Sequence, residues 1–275
     1  MKGWLLYDKV GAERNRTFIN FWLQAATCRG VDLEIHMIED TLPAQKPDFA
    51  VVRTIAPSIS YNLELAGIPV FNSSLVSQIC NNKWKTYCHA KTLGIPFPQT
   101  EYVANPLEIR SYSYPFVLKS CSGHGGTQVY MIRSEEELKT ASSSLQGLPC
   151  VIQEVISEPG KDLRIYVLGK EIIAAMLRTS TTDFRSNFCL GGKAEPYTLG
   201  DEEKAIVNAF CNSLSFGLVG IDLMFHNGKP VFNEIEDVVG CRMLYTHTDI
   251  DPASIYLEYI LQNLSNKKAV SLQKL

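Results

Sequence analysis

Residues 218–236 constrain this chain more than any other stretch. Two apolar segments, 218–225 and 230–235, flank His226-Asn227-Gly228. Asn-Gly between apolar runs is a strong hairpin signal, because a two-residue turn needs positive φ and these residues tolerate it. The segments therefore read as neighbouring antiparallel strands. Asp222 lies on the first, Glu234 and Glu236 on the second. Alternate residues of a strand share a face, so the two glutamates point the same way. The short turn lets Asp222 approach that face. Carboxylates converging among apolar neighbours are costly unless a cation lies among them. Oxygen-only donors suit Mg²⁺ or Mn²⁺. The competing reading is a solvated strand face whose acids are simply exposed.

Further upstream, Lys119 closes the apolar run 115–118 and can set its ammonium on a phosphate as a point charge. The segment Ser120-Cys-Ser-Gly-His-Gly-Gly126 follows at once. Gly123, Gly125 and Gly126 let backbone N–H groups come close to phosphate oxygens. No G-K-[ST] ends the loop and no dinucleotide fingerprint is present, so by itself it reads equally as a hairpin turn. His124 reads as a phosphate contact or as an exposed loop residue. Asp162-Leu-Arg164 reads as a site pair or as a structural salt bridge. Arg185 and Asn187, before Gly191-Gly192, can neutralise a transferring phosphoryl group and bind its oxygens. Together these groups suggest an enzyme that consumes ATP.

Around them the pattern alternates between strand and helix. Strands at 3–7, 31–37, 49–52 and 68–71, with helices at 13–29 and 58–66, predict a small parallel α/β unit over residues 1–75. A helix at 81–93 ends at Gly94, with Pro96 and Pro98 beyond it. Strands at 116–119 and 127–132 flank the glycine loop. Ser134 and three glutamates open a helix there. Strands at 150–156, 163–168 and 171–177, helices at 201–216 and 252–264, and the hairpin described above complete an α+β remainder. The net charge is −3 and no basic block occurs, which argues against a nucleic-acid partner. Eight cysteines without C-x-x-C spacing read as reduced thiols. The charged start lacks a signal-peptide core, and no run reaches the ~18 apolar residues of a membrane span. The expected location is the cytoplasm.

In this ordered series the chain resembles the ATP-grasp superfamily, nearest the RimK-like glutamate-ligase branch. The motifs are Asn82-Lys83, Lys119 with its glycine loop, Gln153-Glu154, Gly160-Lys-Asp162-Leu-Arg164, Asp183-Phe-Arg185-Ser-Asn187, Gly220-Ile-Asp222 and Asn233-Glu234. The resemblance implies an ATP-grasp fold. An N-terminal Rossmann-like α/β pre-ATP-grasp domain (1–77) precedes two α+β subdomains, 78–149 with linker helix 81–93 and 150–275, that clasp the nucleotide. It implies phosphate contacts from Lys83 and Lys119. Gln153, Glu154, Val155 and Ile156 would lie beside adenine, with Asp162 near the ribose, and Arg164 would be a further nucleotide-binding residue. Asp222 and Glu234 would hold Mg²⁺, and Arg185 and Asn187 would lie near the γ-phosphate. The family usually has Glu-x-Asn where this chain has Glu234-x-Glu236, so the last ligand position carries an extra charge.

The implied activity is ATP-dependent carboxylate–amine ligation through an acyl phosphate. Its partners would be small-molecule amino acids or peptides, a precursor peptide included. Arg14, Arg16 and Arg53 are candidates for binding a substrate carboxylate, and Arg242, Tyr245 and His247 for shaping an acceptor pocket. Replacing Asp222 or Glu234 with Ala is expected to abolish ADP formation and leave the fold intact. A phosphotransferase and a non-ligating ATP-binding regulator remain as alternatives. Oligomeric state, a homo-oligomer included, is left open.

Overall fold

The computed structural model describes residues 1–110, 112–181, 183–185 and 193–272, with side chains through residue 266. The chain begins with β1 (Lys2–Tyr7), α1 (Lys9–Arg14) and α2 (Arg16–Cys28). The single helix expected over 13–29 is thus two helices. Asp8 caps α1 early by accepting from Gly11 N at 2.7 Å. Asn15 then donates from Nδ2 to Gly11 O at 2.7 Å and leaves the helical region at φ −111°. Such local side-chain bonds compete with the helix ladder. Then come β2 (Asp32–Met37), β3 (Phe49–Val52), α3 (Pro57–Leu65), β4 (Val70–Phe71), α4 (Ser74–Cys80) and α5 (Lys83–Thr92). The four strands form a parallel sheet in the order β2-β1-β3-β4. Helix α4 was not foreseen, although Ser73 caps it with a 3.3 Å bond from Val76 N. Asn82 caps α5 and so fixes Lys83 at its first turn.

A second sheet contains β5 (Thr100–Val103), β6 (Phe116–Ser120), β7 (Val129–Ile132) and, after α6 (Glu135–Ser144), β8 (Cys150–Glu154). Its order is β5-β8-β6-β7, all antiparallel. Leu138, Ala141 and Leu145 of the α6 region cover Phe116, Leu118 and Ile152 on one face. Alternation turns Val117 and Lys119 to the other face. Strand β8 stops at Glu154, so Val155 and Ile156, expected in the strand, lie beyond the ladder.

The third sheet is built from β9 (Lys161–Leu168), β10 (Glu171–Thr179), β11 (Lys193–Pro196), then, after α7 (Asp201–Ser213), β12 (Leu218–His226) and β13 (Lys229–Glu236). Helices α8 (Arg242–His247) and α9 (Pro252–Leu272) follow. The order is β11-β10-β9-β12-β13, antiparallel throughout. Asn227 and Gly228 both take positive φ, 53° and 73°, as the hairpin signal required. Both faces of this sheet are covered. Leu163, Ile165, Val219 and Ile221 pack with Val207 and Phe210 of α7. Tyr166, Leu168, Met176 and Leu218 pack with Trp22 of α2 and Leu257 of α9. The second face changes character along its length, from this apolar end to a charged end at Asp162, Arg164, Arg178 and Asp222. Among the described residues no helix is long and apolar enough to cross a membrane, and the seven described cysteines are free.

Candidate active site

One cavity lies between the second and third sheets. Lys119 and Val117 of β6, Val129 and Met131 of β7, and Gln153, Glu154, Val155 and Ile156 line it from one side. Asp162, Met224, Asn233, Glu234 and Arg185 line it from the other, and Lys83 reaches it from α5. Gly126 also lines it.

The acids meet because of a bulge. With Asn227-Gly228 as the turn, His226 pairs Lys229 and Leu223 pairs Phe232. Continued unchanged, that register would set Asn233 opposite Asp222 and turn Glu234 to the other face. Instead Asp222 pairs Glu234 and Gly220 pairs Glu236, leaving Asn233 as the extra residue. The carboxylates of Asp222, Glu234 and Glu236 thereby come within 4.8 Å of one another. The bulged Asn233 reaches back to accept from Lys119 Nζ at 3.1 Å.

A second bulge brings in a residue that sequence reasoning missed. Across Gly169-Lys170 the hairpin pairs Leu168 with Glu171, and unbroken it would set Leu177 opposite Asp162. A shift between Ile172 and Ala174 sets Arg178 there instead. Arg178 Nε and Nη2 donate to Asp162 at 2.6 and 2.7 Å, and Nη2 also reaches Asp222 Oδ2 at 2.7 Å. Arg164 grips Asp222 from the other side through Nε and through Nη2 at 2.8 Å, and reaches Glu236 Oε2 at 2.8 Å. Arg164 therefore does not line the cavity. Its expected place on the nucleotide gives way to Asp222 and Glu236, because a guanidinium 4% exposed must find fixed anions for its fork. Gly220 makes room for it: a Cβ there would lie 2.9 Å from Arg164 Cδ.

The remaining groups divide as follows. Lys83 pairs with Glu234 Oε2 at 3.0 Å and donates to Gly123 O at 2.6 Å. Burial opposes the charge on Glu234, but Lys83 and Lys119 outweigh it and hold the carboxyl well below its usual range. Burial, with repulsion from Asp222 and Glu234, raises Glu236 against the pull of Arg164. Burial draws Lys119 down to about 8, with Glu234 opposing. Burial and then Lys83 lower His124, which is half-buried in the glycine loop. Arg185 pairs with Asp183 at 2.6 Å and donates to Gly126 O at 2.6 Å. Glu154 accepts from Gln99 N at 2.6 Å. Gly123 and Gly125 belong to the loop but do not line the cavity, and Gly125 holds φ at 63°. Asn187, with Gly191 and Gly192, lies outside the described residues.

The other candidates lie elsewhere. Arg53 is buried and donates to Val239 O at 2.7 Å, with its guanidinium over Phe18. Arg14 and Arg16 are exposed, and Arg16 faces Glu13. Arg242 is exposed, and Tyr245 bonds Asp251 at 2.7 Å.

Known proteins share this architecture. A probable alpha-L-glutamate ligase of Methanococcoides burtonii is 27% identical over 220 residues, covering 77% of this chain and 73% of that protein. A RimK domain ATP-grasp protein of Sphaerobacter thermophilus superposes with a TM-score of 0.75 at 17% identity, covering 95% of this chain and 100% of that one. A D-alanine–D-alanine ligase of Bacillus anthracis superposes with a TM-score of 0.77 at 15% identity, over 98% and 99%. The family model of the RimK-like ATP-grasp domain matches residues 81–260, which span all three acids, both site lysines and the glycine loop. The chain belongs to the RimK-like ATP-grasp family.

Proposed function

We propose that this protein is an ATP-dependent carboxylate–amine ligase that joins an amino acid to an amino acid, a peptide or a protein terminus. One observation carries the reading. Lys83 and Lys119 meet Asp162, Arg185 and Glu234 around a single cavity between two sheets. The apolar walls Val117, Met131 and Met224 suit a base, with Glu154, Val155 and Ile156 along its edge and Asp162 by the ribose. In this reading residues 1–77 form the substrate-binding part, and 78–149 and 150–275 clasp the nucleotide. The names of the relatives, a glutamate ligase and a D-alanine–D-alanine ligase, support the reaction class. The free thiols support a cytoplasmic setting.

The acids fit a divalent ion by donor type, since all three offer oxygen. Lys83 and Arg164 occupy Oε2 of Glu234 and Glu236, which leaves Oε1 of each as a candidate donor, whereas both oxygens of Asp222 already accept from Arg164 or Arg178 and it would join the ion only through lone pairs that those bonds leave. Asp222, Glu234 and Glu236 would hold Mg²⁺ (or Mn²⁺), which would offset charge on the outer phosphate oxygens when bound. Everything else falls to the chain. A substrate carboxylate oxygen bonds to the γ-phosphorus while its bond to the β–γ bridging oxygen breaks, releasing ADP. Lys119 and Arg185 offset charge on the group in transit. The amine nitrogen then attacks the acyl carbon, the carbon–oxygen bond to phosphate breaks, and the amine loses a proton to the departing phosphate or to water. The glycine loop, tied to Lys83 and Arg185, keeps water from the acyl phosphate.

A phosphate-release screen over amino acids and short peptides with Mg²⁺ and ATP tests this. Free phosphate appearing with a new amide is the expected result. A stable phosphorylated acceptor would make the protein a phosphotransferase, and ATP binding without turnover across the panel would make it a regulator.

A further inference from the structure

Gln153 lies in β8, only 2% exposed, where the cavity wall meets the interior. Its amide has three partners. Nε2 donates to the Tyr87 hydroxyl at 2.9 Å and to Thr100 Oγ1 at 2.9 Å. Oε1 accepts from Lys119 Nζ at 2.7 Å. The orientation of the amide is determined from both ends. An ammonium has no lone pair, so only the oxygen can face Lys119. Thr100 gives its own proton to Pro98 O at 2.6 Å, so it meets Gln153 as an acceptor.

Lys119 gives a second hydrogen to Asn233 Oδ1 at 3.1 Å. Both acceptors are neutral amides. They hold the ammonium in place without cancelling its charge, whereas Glu234, across the cavity, is salt-bridged to Lys83. Tyr87 belongs to α5, the helix that begins with Lys83, so the same network ties the two lysines together.

We infer that Gln153 is a positioning residue for Lys119: with Asn233 it fixes two of the three ammonium hydrogens so that the third meets the outer phosphates of the nucleotide, and it does not read the base. This rests on the nucleotide reading above. Its physical content is a distinction between phosphates and base. An anion at position 153 would compete with phosphate for Lys119 and leave the base contacts untouched.

The test measures dissociation constants for MgATP and for AMP by titration calorimetry, with thermal melting as the control for folding. Gln153→Glu is expected to weaken ATP binding by about tenfold and AMP binding by less than about twofold. Gln153→Met keeps the charge but removes the acceptor, and is expected to weaken ATP by about threefold with AMP again unmoved. In a Lys119→Met background, adding Gln153→Met is expected to change ATP affinity by less than about twofold, because the two act as one unit. Equal losses for ATP and AMP, or undiminished ATP binding in either Gln153 variant, overturn the inference. If Gln153→Glu does not fold, the Gln153→Met measurements decide on the same criteria. Wild-type protein that binds no nucleotide overturns the nucleotide reading itself, and this inference with it.

Discussion

Arg164 and Arg178 on the third sheet, and Lys83 and Lys119 facing them from α5 and the second sheet, are all buried cations with different company. The arginines are 4% and 3% exposed and are joined to Asp162, Asp222 and Glu236. The lysines are 8% and 7% exposed. Between them they hold one acid, Glu234, and otherwise bond neutral oxygens of Gly123, Gln153 and Asn233. Guanidinium forks match carboxylates and stay charged, so they are suited to permanent internal pairing. An ammonium among amide oxygens keeps its attraction for an arriving phosphate. The arginine charges are already met by carboxylates, of which Asp162 alone lines the cavity, and the lysine charges face the cavity with room for a ligand.

The largest effect expected from this contrast is on the arginine side. Asp222 is 1% exposed and accepts from both guanidiniums. Asp222→Ala leaves two buried cations short of a partner, and is expected to cost about 3–5 kcal/mol of stability in denaturant unfolding. The expectation that this variant keeps its fold intact therefore does not carry over from the sequence. Glu234→Ala provides the control. Its side chain is 22% exposed and its salt bridge is to Lys83, so it should lose ADP formation with a far smaller change in the unfolding midpoint. Equal destabilisation in the two variants would break the comparison.

On the lysine side the order of effects reverses. Lys119→Met removes a buried charge that has only neutral hydrogen-bond acceptors, so its folding stability should hold or rise. Its ATP affinity should fall by about 1.5–3 kcal/mol, the worth of a hydrogen bond to a charged group, read by calorimetry. Smaller again is Gly220→Ala. The new Cβ would lie 2.6 Å from Val239 Cγ2 and 2.9 Å from Arg164 Cδ. Overpacking of that kind costs about 1–3 kcal/mol, and it should appear in unfolding while AMP affinity stays unchanged.

How much of this the sequence could tell depended on register. The Asn227-Gly228 turn, the apolar strands and the acids were all legible, and so were Lys119 and the glycine loop. That Asp222 faces Glu234 was expected for an incomplete reason. Counting from the turn sets Asn233 opposite Asp222, and only the bulge restores the pairing. Arg178 was missed because the same count puts Leu177 opposite Asp162. Bulges depend on packing across the whole sheet, which no local pattern records. Arg164 was legible as a site residue but not its direction, since Arg178 and the small Gly220 decide where it turns. The division of the 13–29 helix at Asn15 was legible in principle. Asp8 and Asn15 are both strong makers of local side-chain bonds, and apolar periodicity alone passed over them.

The last way to sharpen the contrast is titration, because arginines do not deprotonate and Lys119 does. Burial lowers Lys119 from 10.5 to about 8 in the folded protein. Between those values the unfolded chain binds a proton that the folded one lacks, so this group's contribution makes the fold more stable as pH rises through that window and less stable below it. Nucleotide binding runs the other way. Phosphate favours the charged ammonium, so ATP affinity should be flat below pH about 8 and fall by up to about tenfold per unit above it. Buried thiols such as Cys150 and Cys241, raised by burial, push stability downward at alkaline pH. The quantity to measure is therefore wild type minus Lys119→Met, for unfolding and for ATP binding, from pH 6.5 to 9.5. Opposite slopes in the two differences are the signature of a lysine kept charged for its ligand at the expense of the fold. Parallel slopes, or none, would mean that Lys119 is as fully paired as the arginines, and the two pairs of cations would no longer differ in kind.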